Sequence, residues 1–576
     1  MVENIITQGL IEQEMGAEKV QTAYHDRTKH HFHRYAAALG LDWATQPDPF
    51  RRYIGADLVH LPLPKEGRPL PYWQLYNSTI VQPIVQPITP EPLSLASVSL
   101  FFRYALSLTA WKQAGDTTWP LRTNPSSGNL HPTEGYALLP AIDQIGDTAA
   151  MYHYAPKEHA LERRTVLDGK RWDQLTESFP TGSFFVGLSS VQWREAWKYG
   201  ERAFRYCQHD VGHALASVRI AAAALGWKIQ LMDGVADSTL ASLLGLDRDE
   251  DFAKVEREEA ELLVLITPMH PLPTTPFNTP HKPLTAHCSD LIWQGKANTL
   301  SPEHGVAWPV IDDVAQATRQ CTREPINEDF SNFPLEDSLF LTPIRNGLLT
   351  AEVAILGRRS AVAMDGTTSI SRATFFRMLA RLIPTQERQT MPWDSIPWRP
   401  RIHIGLFVHR VDGLVPGIYA LSRDPDKVEA LKKVMHAQFG WYPVPGCPPE
   451  LPLYLLQEGD CQKLATTVSC GQDIAGEGAF SLAMIADYSD SLATYGSSFY
   501  RNLFWEAGMV GQVLYLEAEE SGIRATGIGC YFDDPVRTAF GIVSTKWQSL
   551  YHFTVGSPVE DNRLTTLPAY IFDEYK

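Results

Sequence analysis

A 28-residue stretch occurs twice in this chain, and that repetition limits the fold more than any other feature. YGERAFRYCQHDVGHALASVRIAAAALG starts at Tyr199, and YGSSFYRNLFWEAGMVGQVLYLEAEESG starts at Tyr495, at an ungapped offset of 296 residues. Six positions are identical, among them Tyr199/Tyr495, Arg205/Arg501 and the glycines 200/496, 212/508 and 226/522; Asp210 meets Glu506. Two copies of one element imply two copies of one folding unit, each with the same face to bury.

Each copy reads as a long helix. Leu215, Val218, Ala222 and Leu225 follow helical spacing and make one apolar face. Gly226 and Gly522 stand where a left-handed cap ends a helix. Gly212 and Gly508 lie inside, where glycine costs about 1 kcal/mol against alanine. Their presence in both copies predicts a close approach of two helices, one from each half.

Between the halves runs PMHPLPTTPFNTPHKP, with prolines at 268, 271, 273, 276, 280 and 283. Such density forbids helix and favours extended chain, so this segment is expected to link the halves. Strand-like runs flank the helices at 135–140, 261–266, 402–411 and 551–556 without strict alternation with helices, which predicts an α+β fold. The expected organisation is a lead-in segment 1–90, a first unit 91–267, a linker 268–340 and a second unit 341–576.

Composition removes several function classes. With 576 residues, 44% hydrophobic and 20% charged, the chain has ample material for more than one core. A net charge of −16 argues against nucleic acid and against anionic membrane surfaces as partners. No run of 18 apolar residues occurs, so no membrane span is expected, and the first residues lack the pattern of a signal peptide. Seven scattered cysteines without a C-x-x-C pair argue against a disulfide framework and for a reducing, cytoplasmic setting. His25, His30, His31 and His33 match no tight zinc spacing and have no cysteine nearby in sequence, so no metal is expected.

Three short motifs carry chemistry. In Pro125-Ser126-Ser127-Gly128-Asn129, proline fixes a turn, two hydroxyls stand beside backbone N–H groups, and glycine lets the backbone approach a flat ligand. In Arg358-Arg359-Ser360, two guanidinium groups and a hydroxyl suit a phosphate. In Gly527-Ile528-Gly529, backbone comes close to a neighbour; the third glycine of a dinucleotide fingerprint is missing and no helix opens there, so a Rossmann reading fails. The helix after Arg-Arg-Ser is expected to use Ser369 or Ser371 as cap and to bury Phe376, Leu379 and Ile383.

PSSGNLHPTEGY, the RRS segment, the YGxRxxR helix, GIGCYFDD and the closing VGSPVEDNR with Arg563 together resemble the flavin-dependent nitroreductase superfamily, most nearly its SagB-type, thiazole-forming-oxidase-like dehydrogenase branch. The segment YHDRTKHHFHRYAAALGLDWATQPDPFRRY is similar to the lead-in of longer members. The resemblance implies two nitroreductase-like folds in tandem, paired within one chain as a pseudo-dimer, with FMN at their interface. It implies that one fold grips the FMN phosphate through arginines and serine while the other lends the Pro-Ser-Ser loop to the ring. A monomer is then favoured, with a homodimer as the alternative.

The motifs divide unevenly between the halves. The first half has the Pro-Ser-Ser-Gly loop but no Arg-Arg-Ser before its expected helix, SLASVSLFFRYALSLTAW. The second half has Arg358, Arg359 and Ser360, and carries MPWDSIPWRPRIHIGLF where the loop belongs. These losses are complementary, which implies one composite FMN site per chain. Lys198-Tyr199 matches the Lys-Tyr pair of azoline-oxidising members, implicated there in substrate deprotonation; the second half has Thr494-Tyr495. Arg202 and Arg205 are expected to be structural, pairing with Asp210 and Glu201. The resemblance thus implies an FMN-dependent oxidoreductase acting on a small-molecule or peptide-borne substrate. The alternatives are an NAD(P)H-dependent nitro or quinone reductase, and a scaffold that binds flavin or a partner without turnover.

Overall fold

Side-chain alternation along the strands shows why each sheet is buried on both faces. In the Thr133–Leu139 strand, Tyr136 and Leu138 join one apolar cluster while Ala137 and Leu139 join another. The Glu259–Thr267 strand divides the same way, with Leu262, Val264 and Ile266 on one side and Leu263 and Leu265 on the other. Period-two alternation of apolar with apolar is the pattern of a strand covered on both sides. The computed structural model describes residues 2–35, 40–64, 69–76, 88–268, 290–335, 349–386 and 390–570. Most of the proline-rich segment lies outside the described residues.

Each half builds a seven-stranded antiparallel sheet. The first runs Asp57–His60, Ala160–Leu167, Ala149–Ala155, Thr133–Leu139, Phe184–Ser190, Glu259–Thr267, Lys228–Leu231. The second runs Tyr442–Pro443, Leu453–Glu458, Gly417–Leu421, Ile402–Val408, Phe480–Asp487, Trp547–Gly556, Arg524–Ile528. The terminal strands at 228 and 524 stand at the same 296-residue offset as the repeated helices. All four strand-like runs seen in the sequence are strands. A third, three-stranded sheet crosses between the halves: Thr565–Leu567 pairs with Leu108–Ala114, which pairs with Thr117–Arg122.

The repeated helices, Ala203–Ala224 and Phe499–Glu520, pack on each other in the centre. Every residue of the first is buried, and every residue of the second except Glu519. A helix buried all round belongs in a core flanked by other layers, and the cluster containing both helices takes residues from both sheets. A Cβ on Gly212 would stand 2.7 Å from Trp505 Cα and 2.8 Å from its carbonyl carbon. The two backbones therefore meet where the paired glycines predicted. Gly226 and Gly522 cap the helices in the left-handed region, each at φ +71°.

Three details differ from the sequence reading. The first long helix starts at Ala203; Lys198 and Tyr199 instead close a preceding helix, Gln192–Tyr199, because Gly200 at φ +55° breaks the chain between them. The helix in SLASVSLFFRYALSLTAW stops at Ala105, and Leu108 begins the crossing hairpin. Arg202 and Arg205 are structural, but their partner is Asp533 of the other half, at 3.0 and 2.7 Å. Glu201 pairs with Arg27, and Asp210 accepts from Ser127. The helix Arg372–Ala380 is capped by Ser371, which accepts from Thr374 N–H, and Phe376, Leu379 and Ile383 are buried as expected.

The lead-in segment touches both halves. Tyr24 donates to the Glu201 carbonyl at 2.7 Å, and His25 sits within 3.2 Å of the Tyr500 hydroxyl. His30 N–H donates to Asp533 at 2.9 Å. Asp533 thus gathers two arginines and a backbone donor while fully buried, and the two guanidinium groups hold its carboxyl well below the usual range against the cost of burial. Removing one partner from such a buried group costs about 3–5 kcal/mol.

Candidate functional site

A cavity of about 680 Å³ opens between the halves, within the range of small-molecule and cofactor sites. The first half contributes the 124–129 loop, Tyr199, Tyr206 and Asp210; the second contributes residues 357–362, Tyr515, Tyr551 and the 524–530 strand end. Twelve of the residues singled out in the sequence line it together: Pro125 to Asn129, Tyr199, Arg358 to Ser360, and Gly527 to Gly529. Lys198 does not line it but packs behind the loop. Arg563 is exposed and pairs with Asp561, which does line the cavity.

The loop end is shaped by tight backbone. Gly128, Asn129 and His131 all have positive φ, at +57°, +60° and +53°. A Cβ on Gly128 would stand 2.5 Å from the Tyr199 hydroxyl and 2.9 Å from Lys198 Nζ, so a larger residue there would displace the ends of both side chains. Asn129 Nδ2 is spent on the Pro120 carbonyl. Ser127 donates through both N–H and Oγ to Asp210 Oδ1, each at 3.0 Å. Burial pushes the Asp210 carboxyl up to about 7, against the lowering effect of the Ser126 and Ser127 hydrogen bonds. Burial raises Tyr199 well above its ordinary value, so its hydroxyl is a neutral donor.

The opposite end is cationic. Arg358 Nε and Nη2 donate to the Thr123 and Arg122 carbonyls at 3.0 Å each, and the buried Nη1 has no hydrogen-bond partner among the described residues. Arg359 holds the Thr109 hydroxyl and the Leu356 carbonyl. Arg524 joins them and pairs with Glu519. Burial, then repulsion from Arg358 and Arg524, brings Arg359 down to about 10. Three guanidinium groups with Glu519 paired to Arg524 leave an excess of positive charge at this end that an anion would relieve. Ser360 Oγ lies 2.8 Å from the Tyr515 hydroxyl, which also accepts from Gly527 N–H at 3.0 Å.

Glycine cradles mark the third wall. A Cβ on Gly527 would strike the Tyr551 hydroxyl, and one on Gly529 would stand 3.0 Å from Tyr206 Cδ1. Asn124 Oδ1 is buried beside the cavity and has no partner among the described residues. The residues therefore fit a planar ligand with hydrogen-bonding edges and an anionic tail, which is the outline of FMN.

Sequence reasoning missed Asp210, Tyr206, Tyr515, Tyr551 and Arg524 as cavity residues. Asp210 could have been found, because the repeat aligns it with Glu506. Each carboxylate accepts backbone N–H groups of the corresponding loop: Ser127 for Asp210, Arg401 and Ile402 at 3.0 and 3.1 Å for Glu506.

Among the described residues, the loop position related by the repeat is packed. Trp398 is fully buried and donates to Glu506 at 3.3 Å, where the first half has its open loop. Arg219 pairs with Asp394 at 2.7 Å, and the Tyr495 hydroxyl donates to Glu328 at 2.7 Å. Beside Met232 and Trp505 there is space of about 20 Å³, room for about one water molecule, whereas a cavity of about 640 Å³ opens beside Tyr495, lined by Glu14, Glu18 and residues 323–328.

The pattern of nitroreductase-family sequences matches in two regions, residues 89–255 and 448–557. Each half of the chain thus carries a match to the nitroreductase family. The chain is 30% identical over 169 residues to the trifolitoxin-processing protein TfxB of Rhizobium leguminosarum bv. trifolii, covering 27% of this chain and 44% of TfxB. It is 29% identical over 112 residues to MJ1384 of Methanocaldococcus jannaschii, named for a nitroreductase, covering 18% of this chain and 54% of that protein. The chain thus spans about half the length of the curated relatives it matches. A crystal structure from Anabaena variabilis, also named for a nitroreductase, superposes on 94% of this chain and 99% of its own at a TM-score of 0.66 and 21% identity. The chain therefore shares the fold of that structure over nearly its whole length. Among the described residues, no helix is long and apolar enough to cross a membrane.

Proposed function

We propose that this chain is an FMN-dependent oxidoreductase with one composite FMN site, and that it works as a dehydrogenase of the SagB type. The observation that carries this reading is the distribution of parts across one cavity. The Pro-Ser-Ser-Gly loop of the first half faces the three-arginine end supplied by the second, while the repeat-related position is packed with Trp398 and Arg219. The units are taken as 91–267 and 341–576, joined as a monomeric pseudo-dimer, in the cytoplasm.

FMN, when bound, supplies hydride acceptance or delivery. The chain supplies the rest. Arg358, Arg359 and Ser360 would hold the phosphate, and the 125–129 loop would donate to the polar edge of the ring. Lys198 and Tyr199, both beside Gly128, would take and orient a substrate proton at the loop end, Tyr199 from the cavity wall and Lys198 from behind the loop. That pair favours substrate oxidation over reduction by NAD(P)H, although NAD(P)H remains a donor to be assayed. The likeness to a trifolitoxin-processing protein supports a peptide-borne heterocycle as substrate.

The test is the visible spectrum of the purified protein, followed by quantification of flavin released on denaturation. One FMN per chain is expected. Two per chain would overturn the composite site. No flavin, even after incubation with excess FMN, would overturn the enzyme reading in favour of a scaffold.

A further inference from the structure

We infer that His30, Cys470 and Cys530 form a site for a single thiophilic divalent cation, with zinc as the natural occupant. The histidine cluster has no cysteine near it in sequence, but the fold supplies two. Among the described residues these three form a group whose ligand atoms all lie within 4.8 Å of one another. His30 Nδ1 stands 3.5 Å from Cys530 Sγ and 4.0 Å from Cys470 Sγ. Zinc bound tetrahedrally at about 2.0–2.1 Å to nitrogen and about 2.3 Å to sulfur requires an N···S edge of about 3.6 Å. One edge already has that length, and the other must close by a few tenths of an ångström.

The ligands are held from outside the group. His30 N–H donates to Asp533 at 2.9 Å, and its carbonyl accepts from Asp533 N–H at 3.3 Å. Asp533 is itself fixed by Arg202 and Arg205. Gln472 Nε2 donates to the Cys530 and Ser469 carbonyls, each at 2.8 Å, and so clamps the two cysteine loops to each other. Cys470 sits in the left-handed region at φ +57°, held one residue beyond that clamp.

The environment points to a ligand as well. The His30 residue is 3% exposed, and among the described residues its Nδ1 meets only the two sulfurs and its buried Nε2 has no hydrogen-bond partner. Two thiolates and a neutral imidazole carry a charge of −2, which a divalent cation cancels. A donor set of one nitrogen and two sulfurs selects zinc over magnesium or calcium. Three protein ligands leave a fourth position for water. The cation would pin the lead-in segment to the second half, beside the cavity that Cys530 lines. This inference does not rest on the flavin reading.

The experiment uses the full chain. Protein is equilibrated with zinc, dialysed, and assayed by elemental mass spectrometry; a parallel sample takes cobalt, whose thiolate charge-transfer and tetrahedral ligand-field bands report the donor set. One equivalent of zinc per chain and cobalt–thiolate bands are expected. Cys470→Ser and His30→Ala should each reduce retained zinc to background, and Cys447→Ser should retain it. Equal zinc in wild type and Cys470→Ser would overturn the site. So would a Cys470–Cys530 disulfide in mass spectra of the freshly purified wild type with no metal bound after reduction. If the variants fail to fold, the wild-type cobalt spectrum decides: absence of thiolate bands sinks the proposal.

Discussion

Gly508 lies against Gly212 at the crossing of the two long helices, so that a Cβ on Gly508 would stand 2.9 Å from the Gly212 Cα and 2.8 Å from His213 N. Alanine at either position gains about 1 kcal/mol of helix propensity. It also drives a methyl group into backbone that cannot rotate away, and overpacking of this kind costs about 1–3 kcal/mol, more where the clash is with backbone. Gly212→Ala and Gly508→Ala are therefore expected to lower the urea midpoint. Gly305→Ala, which meets nothing within 4 Å, should leave it unchanged. Equal stability of all three variants would mean that the helices can separate without cost.

The crossing was legible because both copies of the repeat carry the same unfavourable residue. The strands were legible for a similar local reason, the concentration of β-branched and aromatic residues between breakers. Partners across the halves were not. Arg202 was expected to find a carboxylate on its own helix, and it found Asp533, 331 residues away. The cysteines near His30 lie 440 and 500 residues from it in sequence. A single sequence carries no signal for contacts at such separation. The role of Asp210 was visible only as a repeat position, because its burial, which gives the carboxyl its character, is a property of the assembled core.

Arg358 and Arg359 should discriminate FMN from riboflavin, which lacks the phosphate. A hydrogen bond to a charged group is worth about 1.5–3 kcal/mol, or about 10–100-fold in affinity. Arg358→Gln and Arg359→Gln are expected to weaken FMN by that factor each while leaving riboflavin nearly unchanged. Isothermal titration of the flavin-free protein with both ligands measures the gap. Equal losses for FMN and riboflavin would place the phosphate elsewhere.

Lys198 and Tyr199 should separate chemistry from cofactor binding. Both sit behind Gly128, and only Tyr199 reaches the cavity. Lys198→Ala and Tyr199→Phe are expected to retain flavin and its reduction by dithionite. Anaerobic reduction of the flavin by an azoline-bearing peptide should slow by about 10²–10⁴-fold, the usual contribution of a positioned acid or base. Wild-type rates in both variants would leave the pair a packing role.

Asp210 gives the protein a pH dependence with a definite sign. In the unfolded chain its carboxyl titrates near 4, and in the folded protein burial pushes it up to about 7. Between those values the folded state holds a proton that the unfolded state releases, so the contribution of Asp210 to stability falls as pH rises through that window. Above about pH 7 both states are ionised and the contribution is constant. Glu261 is also pushed up to about 7 by burial and adds its own slope. Asp210→Asn cannot titrate, yet its side-chain oxygen can still accept from Ser127 N–H. The difference between wild type and variant therefore isolates Asp210, because the Glu261 slope is common to both. Urea midpoints at a series of pH values between about 4 and 8 should show wild type losing stability relative to Asp210→Asn as pH rises, then running parallel. Parallel curves throughout would mean that Asp210 titrates as it does in the unfolded chain, with its hydrogen bonds to Ser126 and Ser127 fully offsetting burial.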